Sequence, residues 1–438
     1  MIHSIVFILI TTAILRFSWK RYAQVYQAIK LGKPNWPEGS ALVRFKNMLL
    51  FALGQRKMFT KPVSGIFHFF IYTAFLLTQV EFLEIFTDGL FGKHRLFANK
   101  IGFLYPLAIN TIEILSLLAL IATAVFLIRR NILKISRFHK PELKGWPFAD
   151  ANIILLGEII LVISIFMMNG ADQYLQQLKP ESYHPTGSFF LSASTTMPLI
   201  SGLSADWIIF TERFFWWTHY LVVLGFIAYL PYSKHLHIFL AFPSSYYADL
   251  NPRGEIQNIP YIQNEVKGML GLENDPSMEA PNNFGAQDVN ELSQQILLQA
   301  FSCTECGRCT AVCPANITGK KLSPRKIVMD IRDRAEEVVQ TKAFKKSEDG
   351  TTIEITDGLS LFDKISKEEL YACTTCNACV EACPVLINPL KPILELRRYD
   401  ILMNSGGPSE WLPMFNSLEN NQAVWAMSEN RTNWIKIE

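Results

Sequence analysis

The sequence predicts an all-α protein in two parts: a five-helix transmembrane bundle, then a polar helical domain on the inner side. Three observations carry that expectation. Hydrophobic residues make up 50% of the 438 positions, and they crowd into residues 1–240. Five apolar stretches there approach or exceed the ~20 residues that cross a hydrocarbon core. Beyond them, two ladders of cysteines are joined by residues 315–372, which read mainly as helix.

The spans fall at 2–19, 62–86, 101–128, 149–168 and 206–230. In lipid their backbone polar groups can pair only within each helix. The first ends at Lys20-Arg21 with no small-residue cleavage site behind it, so it reads as a retained helix and not a signal peptide. Lys and Arg set the orientation. Segment 20–61 carries nine and segment 129–147 carries six, against three in 87–100 and one in 169–205. The first two segments therefore face the cytoplasm, the N-terminus lies outside, and the second half lies inside. Segment 41–54 has amphipathic spacing and is expected along the inner interface. Phe189 to Leu203 is expected to dip back toward the membrane from outside. Arg213-Phe214-Phe215-Trp216-Trp217 reads as an aromatic interface belt. A net charge of +2, with no basic stripe or helix-turn-helix pattern, argues against nucleic acid.

The ladders are CTECGRCTAVCP (Cys303–Pro314) and CTTCNACVEACP (Cys373–Pro384). Each is C-x2-C-x2-C-x3-C-P, the bacterial two-cluster ferredoxin pattern. In it three close thiolates grip one cube and the fourth reaches to the other. That assigns Cys303, Cys306, Cys309 and Cys383 to one [4Fe–4S] cluster, and Cys373, Cys376, Cys379 and Cys313 to the second. These are all eight cysteines of the chain, so no thiol is left for disulfides, and a reducing compartment follows. Zinc, which also takes C-x2-C pairs, needs two pairs and not four in a run before proline.

Histidines inside spans are costly and usually employed. His68 in the second span and His219 in the fifth are expected to ligate haem b; the alternative is that each hydrogen-bonds a neighbouring helix. Gly65 and Gly225 would make room for a porphyrin face. His237 lies five helical turns beyond His219, about 27 Å along one axis. Pro231 between them would kink that axis. A second haem would use His237 or His235, with a partner near Met58, where no histidine stands. The alternative for Lys234, His235 and His237 is a cationic helix end. Glu113 and Glu158, deep in the third and fourth spans, either carry protons toward a quinone or bond a neighbouring helix. His94 and His184 read as ordinary surface residues of the outer loops.

Residues 243–288 read as an irregular linker. Asn290 to Phe301 is helical in pattern. Ser323 is an N-cap before Pro324, and Ser366 with Glu369 forms a capping box. Asp349-Gly350 and Asp357-Gly358 bracket a short strand-like run. Pro389 starts a helix through Leu402. No Walker loop occurs between the ladders. No dinucleotide fingerprint or nucleophile elbow occurs anywhere in the chain.

Together these residues resemble a known group. Five spans with His68, His219 and His237 look like the haem b-binding gamma subunit of respiratory nitrate reductase, which uses four histidines for two haems. Position 58 departs from that pattern. The cysteine region resembles the helical dicluster ferredoxins of succinate dehydrogenase iron–sulfur subunits and anaerobic glycerol-3-phosphate dehydrogenases. Joined in this order, the halves resemble membrane-bound heterodisulfide-reductase-related iron–sulfur proteins, among them electron-transfer-flavoprotein:menaquinone oxidoreductases. The resemblance implies a haem b domain at 1–242, the linker at 243–288, a helical dicluster ferredoxin domain at 289–404 and a partner-docking tail at 405–438. Fused members carry a cysteine-rich CCG domain that this sequence lacks, so that domain is expected on a partner subunit. Trp411, Trp425 and Trp434 would dock it, or fold back on the ferredoxin domain. The implied function is electron transfer in a bacterial inner membrane. Electrons would pass between a cytoplasmic donor such as electron-transfer flavoprotein and menaquinone, through two [4Fe–4S] clusters and one or two haems b. The alternative is a non-catalytic anchor without haem or quinone.

Overall fold

The computed structural model describes residues 2–347, 353–425 and 435. Five helices are long and apolar enough to cross a membrane: Ile2–Lys30, Pro62–Phe91, Leu104–Ile132, Trp146–Leu178 and Ala205–Tyr232. All five expected spans are present, and all are longer than expected. Their apolar centres set the spans, but helix continues through polar residues until a stop signal arrives. Pro62 opens the second helix, and left-handed Gly92 (φ 64°) closes it. Pro231 ends the fifth, whose regular α-helix stops at Tyr229. A short 3-10 turn, Leu230–Tyr232, follows.

At the end of the bundle that holds the N-terminus, spans one, two, four and five pack around Phe7, Ile85, Ile165, Met168, Trp216 and Tyr220. Trp216 is buried there and stacks on Tyr220, with ring centroids 5.9 Å apart. The expected aromatic belt is therefore partly interior. Phe214, by contrast, is exposed. Within the apolar piece Phe189 to Leu203, residues Phe190–Ile200 form a short apolar helix. Between the first two spans, Ala41–Asn47 is helical and runs into a wider turn, Met48–Leu53.

The cysteine-bearing half is helical as expected. Ser293 caps Gln294–Phe301, and Ser323 caps Pro324–Thr341. The Ser366–Glu369 capping box is formed, and Leu390–Leu402 follows Pro389. A two-stranded hairpin pairs Phe344–Lys346 with Ile353–Ile355; Asp349 and Gly350 lie outside the described residues. The stretch expected as an irregular linker contains a helix, Pro260–Met269.

The two halves share one core. Val25, Ala28, Leu31, Leu230, Leu236 and Ala241 belong to the same apolar cluster as Leu297, Ile327 and Leu396. Burying both sets together favours a fixed joint over a tethered bead. At Gly32 the chains touch backbone to backbone. Lys33 N–H donates to Leu292 O at 2.8 Å, and Gln294 N–H donates to Lys33 O at 2.9 Å. A β-carbon on Gly32 would sit 2.7 Å from Leu292 O, so only glycine fits.

Candidate electron-transfer site

The two ladders fold alike. Glu305 and Gly307 take φ of 54° and 70°; Thr375 and Asn377, at the same steps of the second ladder, take 55° and 60°. These left-handed residues curl each loop so that amides face sulfur. Glu305 N–H points at Cys303 Sγ, and Thr375 N–H at Cys373 Sγ, each at 3.4 Å. Such donors stabilise thiolate. Cys303, Cys306, Cys309 and Cys383 line one cavity. Cys373, Cys376, Cys379 and Cys313 lie within electrostatic reach of one another. The fold thus brings Cys383 to the first ladder and Cys313 to the second. Among the described residues, no three His, Cys, Asp or Glu groups close on a single ion position. The four thiols of the first group stand around a cavity, the arrangement suited to a cube whose four irons alternate with sulfide at its corners. Burial pushes the Cys303 thiol up to about 12 and Cys383 up to about 11, with neighbouring sulfurs adding to the shift. Iron must supply the charge that ionises them.

The surroundings of the two sites differ. Arg308, beside Cys309, reaches across the joint to Lys57 O at 2.9 Å and Met58 O at 3.2 Å. Arg325 donates to Arg137 O at 2.8 Å and pairs with Glu142 at 2.7 Å. Lys57 and Arg137 in turn feel the charge of Cys383 and Cys306. Lys234 meets Glu305 at 2.5 Å, and Arg332 meets it at 2.8 Å. Burial alone would raise the Glu305 pKa, but these two cations outweigh burial and hold it below the usual range. The second site is barer: Cys376 is exposed, and the cation felt at Cys373 is Arg397.

The histidines divide differently from expectation. The helix is broken after Tyr229, so His219 and His237 do not share one axis. A 3-10 turn, Lys234–Leu236, intervenes, and the five-turn register does not apply. His68 lies within electrostatic reach of His237 and His235, whose own rings are 5.3 Å apart. The histidine that stands nearest His237 from the second span is thus His68. Met58 sits before the span, in a tight turn. His219 lies against the fourth span, its Nδ1 3.2 Å from Leu161 O. His68 Nδ1 meets Gln55 Oε1 at 2.9 Å, and His237 Nδ1 meets Lys234 O at 3.0 Å. In all three the acceptor oxygen fixes the proton on Nδ1 and leaves the Nε2 lone pair free, the tautomer that binds iron. Burial lowers the pKa of His235 and His237, which keeps both rings neutral. Gly65 does not make porphyrin room: its β-carbon would strike Met58 O at 2.9 Å. Gly225 faces open space.

Glu158 accepts from Thr123 Oγ1 at 3.1 Å and lies 3.9 Å from His235 Nε2, so it joins the histidine group. Glu113 does not. Its carboxylate accepts the first amides of the short outer helix, Leu191 N at 3.0 Å and Ser192 N at 3.2 Å, together with Ser192 Oγ. His184 is exposed as expected. His94 is not an ordinary surface residue: its Nε2 meets buried Asp172 at 2.6 Å. It belongs to an outer polar network that the sequence reading missed. Buried Arg95 there binds Asn169 at 2.6 Å and Asp172 at 3.2 Å. Glu84 accepts from Tyr105 Oη at 2.5 Å. Glu81, Glu84 and Asp88 recur at helical spacing on one face of the second span. That pattern was the available signal.

In the tail, Trp411 packs edge-on against Tyr371, centroids 5.2 Å apart, so it folds back on the ferredoxin domain. Trp425 is exposed, and Trp434 lies outside the described residues.

Comparisons with known proteins agree with this chemistry. Residues 302–387 match a family described as a 4Fe-4S dicluster domain, and residues 269–318 match a second of the same description. The chain is 26% identical to a probable iron-sulfur-binding oxidoreductase, FadF, of Bacillus subtilis over 93% of its own length and 57% of the relative. It is 27% identical to an EtfAB:quinone oxidoreductase of Syntrophomonas wolfei over 90% of its length and 54% of that protein. A probable membrane-anchored ferredoxin of Chromohalobacter salexigens is 30% identical over 34% of this chain and 23% of that protein. The chain thus spans a little more than half the length of the first two relatives. No solved structure matches. The class that fold and site define is an iron–sulfur electron-transfer protein with membrane-spanning helices. It resembles these oxidoreductases over most of its length.

Proposed function

We propose that this chain conducts electrons between a cytoplasmic iron–sulfur or flavoprotein donor and menaquinone in a bacterial inner membrane. The site assignments follow the thiol groupings above. When bound, haem b would supply one-electron steps between the clusters and the two-electron quinone. His68 and His237 are the pair that would hold the inner haem, and His219 one ligand of a second. The observation that carries this reading is the shared state of these three rings: each has Nδ1 held by an oxygen and Nε2 free, beside a cluster domain. Glu158, next to His235, is positioned to take up a proton when quinone is reduced. A CCG-type iron–sulfur partner would feed the clusters, with electron-transfer flavoprotein as its donor by analogy with the Syntrophomonas relative's name. The cation-rich loops 20–61 and 129–147 support a cytoplasmic position for the ferredoxin domain, since both contact it.

The deciding measurement is a dithionite-reduced visible spectrum of the purified chain. A b-type alpha band is expected. A spectrum without one, from protein that retains acid-labile sulfide, would favour the anchor reading.

A further inference from the structure

We propose that the two clusters work in a fixed order. The site of Cys303, Cys306, Cys309 and Cys383 is the outlet into the membrane half, and the Glu305–Lys234 pair joins it to His237. This rests on the electron-carrier reading above. The outlet site faces the membrane half: Arg308 and Arg325 line it and bond Lys57 O and Arg137 O, Lys57 and Arg137 lie within electrostatic reach of Cys383 and Cys306, and Lys234 is held beside it by Glu305. The other site has an exposed ligand, Cys376, and is where a soluble or peripheral donor can approach. Positive charge stabilises the reduced, more negative state of a cluster. The collar therefore gives the outlet site the higher potential, and electrons run toward it.

A polar chain leads onward. Glu305 N–H contacts Cys303 Sγ at 3.4 Å. The Glu305 carboxylate holds Lys234 Nζ at 2.5 Å. The carbonyl of Lys234 accepts from His237 Nδ1 at 3.0 Å. Pro147 O, 2.6 Å from the same ammonium, fixes it in place. Lys234 thus touches both the cluster loop and the histidine loop. With a cluster held by these four cysteines and a haem-class carrier held on the His237 side, each transfer would pass one electron from the reduced cluster to the oxidised carrier. No bond forms or breaks, and no proton moves.

The test is an EPR-monitored redox titration of the intact chain. Two potentials are expected. In Lys234→Met the higher should fall while the lower stays, and Lys234→Arg should restore it. Glu305→Gln, which removes a negative charge, should raise the same potential and serves if the lysine variant fails to fold. Cys376→Ser should alter the lower-potential signal alone. Reduction of the haem-class carrier after rapid mixing should slow at least tenfold in Lys234→Met. A shift of the lower potential, equal shifts of both, a Cys376→Ser effect on the higher signal or an unchanged transfer rate would overturn the proposal. Absence of haem would sink the function proposed above but leave the cluster titration readable.

Discussion

At the scale of single residues, the three histidines separate into an inner pair and an outer single ring. His68→Ala should lose the inner haem absorbance and leave both cluster EPR signals intact. His219→Ala should spare that band, because its ring faces Leu161 and not His237. Unchanged haem content in His68→Ala, read from the pyridine haemochrome, would refute the ligand assignment. The gathering of the cysteines was legible in the sequence because their spacing sets it: three thiols on a tight curl face one space. His94 and Trp216 were not legible. Whether a ring at a membrane boundary faces lipid, water or a buried acid depends on neighbours from other spans, and local pattern does not hold that information.

At the scale of elements, caps and stops were readable and breaks were not. Ser323 and Ser366 act on amides three residues away, so their role is written locally. The break at Tyr229 moved His237 off the axis of His219, although Pro231 had marked the position. The short outer helix depends on Glu113, which takes its first amides from a different span. Glu113→Ala should leave those donors without a partner and cost roughly 1–3 kcal/mol. It should appear as a lower thermal midpoint with unaltered cluster potentials. A normal midpoint combined with slowed quinone reduction would instead restore a proton-carrying role.

At the scale of the whole molecule, the cations that orient the bundle also face a cluster. Lys57 and Arg137 belong to the loops whose charge fixed the expected topology, and both lie close to cysteine ligands. The joint is held partly by Arg325 and Glu142, 2.7 Å apart. Burial would raise the Glu142 pKa, but Arg325 and Ser323 outweigh burial and leave it lowered. A folded pKa below the unfolded value stabilises above the unfolded value and is lost as pH falls through the folded one. Protease sensitivity of the joint should therefore rise under acid, below about pH 4, and Glu142→Gln should remove most of that dependence. The sequence reading divided the chain at residue 242, where the apolar cluster in fact runs through. Composition changes there, but packing does not.

One cysteine, Cys376, stands in solvent while its counterpart Cys306 is half-buried in the wall of the first cavity. Dissolved oxygen and peroxide reach an uncovered sulfur first. Protein handled in air should consequently lose its outward metal centre and keep the inward one, settling at half its iron content with a single surviving paramagnetic species. Material that bleaches both together would mean that shelter is equal on the two sides.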